Sequence, residues 1–346
     1  MTPPPDFLIL GQGLLGSLLA LELEALGATV LIADRQPRRC STLVSTGMID
    51  PISGQRFALS WRYEETLQDA LSTYDHIATT YVGDTIVTQR PFYRLFRDSE
   101  DIAQYEKKYL NGLLTPYIET RFKTSPFRDI AAPYGGIQIR GGYQVNVGAL
   151  VTQLNRHFTA KGQFIPNPDT SVVDAQTVQA VIHCTGAYAQ LNPLFSWLPF
   201  RLSRGEVLVL DCPTLSVDGI VNNGHWLAPG FENDFRFGAT YDWDNMFGGP
   251  TQANYIALKR VLDQLIAPNS YAIRRVESGT RSSLADTRPV VGPHPTNNRH
   301  WVASGLGSKG TQTAPFIAAN LAKSLTRNTP IDPDISISRL YKHYVK

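Results

Sequence analysis

Cysteine, methionine and net charge are all scarce in this chain. Its 346 residues include three cysteines, Cys40, Cys184 and Cys212. They are too few and too widely spaced for a disulfide framework or a metal cluster, and suggest a reducing compartment. No apolar run reaches the roughly 18 residues that a membrane-spanning helix requires. Residues 1–5 hold three prolines and no basic lead, and glycines interrupt the apolar stretch from Phe7, so no signal peptide is expected. A cytoplasmic protein is the expectation. The formal net charge is +2 without a long basic run, which leaves a nucleic-acid partner open. Repeats and low-complexity tracts are absent. What remains is 42% hydrophobic residues, enough for a full core, in a chain long enough for two domains or one domain with a lobe.

The first 34 residues organise the rest. A short apolar run from Asp6 to Leu10 is followed at once by Gly11-Gln12-Gly13-Leu14-Leu15-Gly16. Apolar residues at helical spacing come next, and a second β-rich run ends at Asp34. Gly11 suits the tight turn, Gly13 lets a pyrophosphate approach the backbone, and Gly16 lets helix pack close to strand. The helix N-terminus offers free N–H groups and a positive dipole end. Asp34 is placed to accept hydrogen bonds from a ribose diol. Strand, turn, helix, strand and acid together predict a bound dinucleotide.

Beyond Asp34 the hydroxyl-rich segment Ser41 to Met48 reads either as a capped polar loop or as a second wall of the dinucleotide site. Trp61 to Tyr81 has helical periodicity, with Tyr63, Leu67, Ala70, Leu71, Tyr74 and Ile77 as the buried stripe. Residues 83–144 carry short β-like runs, a polar helix near 100–110 and many aromatics, which suits a sheet lobe. Gly141-Gly142-Tyr143 leads into a helix from about 147 to 161. A buried strand ends in His183-Cys184-Thr185-Gly186-Ala187, and His183 is expected as a satisfied strand residue. Strand-rich sequence from Phe200 to 276 is interrupted by a helix near 251–266. A glycine turn from Gly305 to Gly310 precedes a helix from about 314 to 327, with Pro315 in its first turn.

Five segments in this order resemble the FAD-dependent D-amino acid oxidase superfamily, the group that holds glycine oxidase, sarcosine oxidase and the oxidase half of MnmC. They are the Gly11–Asp34 fingerprint, the Ser41–Met48 loop, the Gly141-Gly142-Tyr143 approach, Cys184-Thr185-Gly186-Ala187, and Gly279 to Gly310. Gly279-Thr280-Arg281 through Asp286, Pro289 and Gly292 is similar to the family's G-x-R-x-x-x-x-D-x-x-P-x-x-G. Gly305-Leu306-Gly307-Ser308-Lys309-Gly310 is similar to its final G-x-G-x-x-G. The resemblance implies an α/β fold: a Rossmann-like FAD-binding domain with an inserted, mainly antiparallel β-sheet substrate domain. The FAD domain would comprise residues 1–82, 145–200 and 277–346, and the substrate domain 83–144 and 201–276.

It also implies site roles. FAD would contact Gly11, Gly13, Leu14, Leu15, Gly16, Asp34, Arg35, Ser41, Thr42, Ser45, Thr46, Gly47 and Met48. Further contacts would come from Val173, Cys184, Thr185, Gly186, Arg281, Gly307, Ser308, Lys309, Gly310 and Thr311. Arg281 would grip a substrate carboxylate with its planar fork, the alternatives being an ion pair with Asp286 or a surface role. Lys309 would bind carboxylate or hold the charge of reduced flavin, against simple solvent exposure. Met48, Trp226 and Tyr241 would line the substrate pocket, whereas His225 is expected in packing. Two departures stand out. Gly279 takes the place of the cysteine that tethers FAD in sarcosine oxidases, so FAD is expected to bind non-covalently. Ser45-Thr46 replaces a small apolar pair.

The function implied is oxidation of the C–N bond of an amine or amino acid, with oxygen or another acceptor taking the electrons. An MnmC-like reading, removal of a carboxymethyl group from a modified tRNA uridine, shares that chemistry. It would want a basic surface at the pocket mouth, for which Arg35, Arg38 and Arg39 are modest candidates. A non-catalytic FAD-containing subunit is the third reading, disfavoured by the presence of Arg281.

Overall fold

The computed structural model describes residues 4–35, 40–54, 56–166 and 177–344. Val173, Arg38 and Arg39 lie outside the described residues.

Two large sheets divide the chain. The first has six strands, in the spatial order Phe164–Pro166, Val30–Asp34, Phe7–Leu10, Ala180–His183, Asn297–Ser304 and Val290–His294. All neighbours are parallel except the last pair. The central strands read as unbroken apolar runs because helices cover the sheet, the expectation for parallel strands. Helices Leu14–Ala25, Tyr63–Ile77, Val147–Ala160 and Gly310–Arg327 join it in one core, where Ile9, Leu19, Ile32, Leu150, Ile182 and Leu321 are fully buried.

The second sheet has eight strands, in the order Ala272–Arg281, Ser203–Asp211, Phe235–Gly238, Trp226–Pro229, Ile220–Asn222, Phe92–Leu95, Gly136–Ile139 and Ile118–Phe122. Neighbours are antiparallel except Ile220–Asn222 beside Phe92–Leu95. Here the side chains alternate between two cores, as a period of two requires. Tyr93, Leu95, Leu208, Leu210, Val221, Leu227 and Phe237 pack on helix Gln252–Leu265. Phe92, Ile137, Ile139, Ile220 and Ala228 take the opposite face, against Ile52 and Phe57. The sheet therefore turns one face toward the segment that follows the Ser41–Val44 turn.

Three details differ from expectation. The last helix begins at Gly310, four residues early, which puts Pro315 inside it. A proline there cannot donate to the carbonyl of Thr311; the Tyr74 hydroxyl takes that acceptor at 2.6 Å instead. The helix from Tyr63 stays α-helical to Ile77 and then widens into a π turn, Ala78–Val82. Within its stripe Leu71 is only half-buried, while Thr66 is buried and bonds to Gln312 at 2.7 Å. The domain division remains a proposal. Its edges near 82 and 200 fall between elements, but those at 145 and 277 lie inside strands Tyr143–Val145 and Ala272–Arg281. Among the described residues no helix is long and apolar enough to cross a membrane.

Candidate functional site

The first glycine turn sits where the two innermost parallel strands end. Gly11 has φ +101°, and a Cβ there would lie 2.5 Å from the Cys184 carbonyl oxygen. A Cβ on Gly16 would approach the Gly11 carbonyl to 2.0 Å, so only glycine lets this helix start against the strand. Gly13 is different. Its missing Cβ faces little except the Thr42 hydroxyl, and the helix it begins has neither a capping side chain nor an acidic residue in its first turn. Thr42 Oγ1 accepts from the Leu14 N–H at 3.2 Å, which brings the Ser41–Val44 turn to the same helix end. Asp34 accepts a short hydrogen bond from the Gln12 N–H, fixing its carboxylate at the turn. The buried Thr185 hydroxyl, next to Gly11, has no partner among the described residues. An open helix end, a fixed carboxylate and an orphaned hydroxyl fit the pyrophosphate and ribose of a dinucleotide. Leu14 and Leu15 are buried in this turn, whereas Arg35 and Ser41 are exposed.

The second glycine turn is stitched to the arginine motif. Gly307 N–H donates to the Ser282 carbonyl at 2.7 Å, one residue past Arg281. Ser282 and Ser304 hydroxyls meet at 3.0 Å, and Ser304 donates to the Gly186 carbonyl at 3.2 Å. Gly310 and Thr311 open a helix with no capping side chain and no acid in its first turn, while Ser308 is exposed. At Gly279, a Cβ would lie 3.0 Å from the Ser41 Cα, so the arginine strand closes directly on the Ser41 turn. A bulky residue at 279 has no room. Ser45 accepts from the Gly47 N–H at 3.0 Å, and Thr46 is buried. Gly47 has φ +67° and sits tight on the Val145 carbonyl.

Arg281 ends its strand with its guanidinium laid flat between two surfaces. A Cβ on Gly205 would come within 2.5 Å of Nη2, and the guanidinium carbon is 4.6 Å from the Tyr241 ring centroid. Nη1 donates to the Thr240 carbonyl at 3.3 Å. Among the described residues no carboxylate is within ion-pair distance of Arg281. Asp286, the alternative partner, is taken by Arg339 at 2.9 Å. Burial lowers the Arg281 pKa, partly opposed by Tyr241, yet a guanidinium stays charged. The site thus holds a half-buried, charged fork with donors to spare.

The other expected pocket residues cluster unevenly. Tyr241 lies under Arg281 and stacks beside Trp243, both exposed. Trp226 stands opposite Gly238 in the sheet and packs on Val44, Val207 and Ala239. Met48 lines a cavity with Asp50, Phe92 and Arg94. Lys309 is neither solvent-exposed nor directed at Arg281; its Nζ pairs with Asp50 at 2.6 Å. His225 packs with its ring 5.7 Å from that of Phe237. His183 is bonded to Asn192 and His300, and burial pushes it down to about 4.

Four contributors were not anticipated. Gly205 makes room for Arg281; a lone glycine within a strand is the signal for such a close approach. Gln144, fully buried, donates to the carbonyls of Thr46 and Pro229 at 3.1 and 2.7 Å and so ties the Ser41–Met48 loop to the second sheet. Arg236 donates to the Val44 carbonyl at 3.2 Å and pairs with Glu277. Asp50 fixes Lys309. Nothing local in the sequence marks the last three.

Two glycine turns and a hydroxyl loop around a space bordered by a sheet-borne arginine define a flavin-dependent redox fold. The chain belongs to the DAO family of FAD-dependent oxidoreductases, whose sequence pattern it matches over residues 6–324. It is 26% identical to the uncharacterized oxidoreductase YurR of Bacillus subtilis, over 94% of this chain and 96% of that one. The bifunctional MnmC protein of Marinobacter nauticus, named for tRNA 5-methylaminomethyl-2-thiouridine biosynthesis, is 27% identical over 59% of this chain but only 34% of its own length. Glycine oxidase from Geobacillus kaustophilus superposes with a TM-score of 0.80 at 19% identity, over 96% of this chain and 97% of that one. The protein is therefore an FAD-dependent oxidoreductase with the glycine oxidase fold.

Proposed function

We propose that the protein oxidises the C–N bond of a small amine bearing a carboxylate, an amino acid or N-substituted amino acid. The observation that carries this reading is Arg281: a half-buried guanidinium with no acidic partner among the described residues, one residue before the serine that holds the second glycine turn. A carboxylate matches its fork, and partial burial strengthens the pair. The Tyr241 ring and Gly205 backbone hold the fork's plane, so the acid end of the substrate would be fixed before reaction. Trp226 and Met48 would bound the space for the rest of the substrate and keep water from it. FAD, bound non-covalently along Gly11–Asp34, the Ser41–Met48 loop and Gly307–Thr311, supplies the hydride acceptor. The helix end at Gly310 would stabilise negative charge arriving nearby. Lys309, already paired with Asp50, would add less.

The test is anaerobic mixing of the purified holoprotein with glycine, sarcosine, D-alanine, L-proline and N-alkyl glycines. At least one is expected to bleach the flavin absorbance. If none does while dithionite does, the reading fails. A second reading, a carboxymethylaminomethyl uridine in tRNA, is favoured by the partial likeness to MnmC and by the exposed Tyr241–Trp243 pair, which offers a base a stacking surface. Bleaching by such a tRNA, but by no free amino acid, would select it.

A further inference from the structure

A buried arginine, distinct from Arg281, lies on the face of the large sheet that the candidate site uses. Arg94 is 7% exposed, and its guanidinium borders a cavity of about 40 Å³ with Met48, Asp50, Ile52, Phe92 and Asn222. Its Nη1 donates to Asn222 Oδ1 at 3.2 Å, and its carbon lies 5.2 Å from the Phe57 ring centroid. Nε and Nη2 are buried without any partner among the described residues. The neighbouring carboxylates are committed elsewhere: Asp101 to Arg97 at 2.7 Å, and Asp50 to Lys309 at 2.6 Å. Arg94 and Asp50 are the charged residues that line the cavity, and Lys309, outside the lining, already pairs with Asp50.

A buried guanidinium with two idle donors is costly unless something accepts from them. Water could accept, but it leaves the charge uncompensated; a carboxylate satisfies both donors and the charge. A single water needs roughly 10–15 Å³ of such cavity space, so the cavity admits a group of carboxylate size. Its place in the sheet connects it to the first site. Arg94, Asn222, Trp226 and Gly238 stand in one row of the register, so their side chains share a face. Arg94 is two strands from Trp226, about 10 Å, and three from the strand that leads to Thr240.

We propose that Arg94 and Asn222 form a second anion subsite, and that the substrate carries a second carboxylate which docks there. The subsite lies on the opposite side of Trp226 from Arg281. This assignment rests on the reading that Arg281 holds a first carboxylate. It narrows the substrate class to dicarboxylic amino acids or dicarboxylic secondary amines.

The holoprotein tests this with matched pairs that differ only in the second carboxylate. N-carboxymethyl, N-carboxyethyl and N-carboxypropyl glycine are compared with N-methyl, N-ethyl and N-propyl glycine by anaerobic flavin bleaching. Succinate, glutarate and adipate are compared with butyrate, pentanoate and hexanoate by the shift they cause in the flavin spectrum. In the wild type at least one dicarboxylate is expected to exceed its partner by roughly 10- to 100-fold, the worth of a charged hydrogen bond. R94Q should abolish that ratio and R94K should restore part of it. Equal behaviour of every pair in the wild type overturns the proposal without any variant, and so does a ratio that R94Q leaves unchanged. If the ligand ratio depends on Arg94 while no amine bleaches the flavin, amine oxidation fails and the subsite stands. Bleaching by monocarboxylic and dicarboxylic amines at equal rates sinks the subsite alone.

Discussion

Arg204 and Arg281 sit on neighbouring strands of one sheet and have opposite fates. Arg204 is 1% exposed, pairs with the fully buried Glu206 at 3.1 Å and with Asp242, and donates to the Gly249 carbonyl. Glu206 in turn accepts from Thr251 and Asn254. That network meets the charge of Arg204 with two carboxylates at the head of helix Gln252–Leu265, although its Nε has no partner among the described residues. Arg281, across the ladder and on the other face, has one carbonyl, one ring and a glycine backbone around it. Arg204 is fully buried and Arg281 half-buried, but what separates the structural cation from the functional one is whether carboxylates of the fold already meet its charge. A closed account holds the fold, and an open one waits for a ligand.

The contrast can be broken from either side. Arg204→Met should be the more damaging change, because it leaves Glu206 charged and buried without its partner. A loss of about 3–5 kcal/mol is expected, read as a large drop in unfolding midpoint or in folded yield. Arg281→Met should leave the unfolding midpoint nearly unchanged and lower kcat/KM for a carboxylate-bearing amine by about 100-fold, some 3 kcal/mol. Arg281→Lys should recover part of this, since it returns the charge but not the fork.

A smaller effect is expected at Gly205. Its Ala variant places a methyl group where the guanidinium lies. The fork must shift, and kcat/KM should fall by about tenfold, mostly through KM. Smallest is Asp242→Asn. The N–H groups of Asp244 and Asn245, then Arg204, hold the Asp242 carboxyl below its usual range. A carboxyl lowered in the folded state contributes stability above its unfolded pKa, near 4, and loses it as pH falls through the folded value. The variant's deficit should therefore be visible at pH 7 and vanish in strong acid, measured by thermal unfolding across that range.

The two arginines also mark what the sequence could and could not say. Arg281 was legible because a glycine, an acid, a proline and a glycine surround it at fixed spacing. Gly11, Gly13, Gly16 and Asp34 were legible for the same reason, each answering a local backbone demand. Arg94 and Arg204 were not, since their partners, Asn222, Glu206 and Asp242, are set by strand register. Gln144 and Arg236 clamp the Ser41–Met48 loop across more than 80 residues of chain, and no local pattern announces such a reach. Lys309 fell between: its motif was visible, but its tie to Asp50 depends on how the last helix meets the strand after Gly47. The early start of that helix was hidden by Pro315, whose lost bond Tyr74 makes good from another helix.

The central claim is that Arg281 is an open account awaiting a carboxylate. Its most direct test is the anaerobic rate of flavin bleaching by the best amine of the panel against that of its counterpart lacking the carboxyl group, in the wild type and in Arg281→Met. The account predicts that the acid reacts at least about 100-fold faster in the wild type and that the advantage collapses in the variant. Equal rates in the wild type, or an advantage that survives the loss of Arg281, would contradict it.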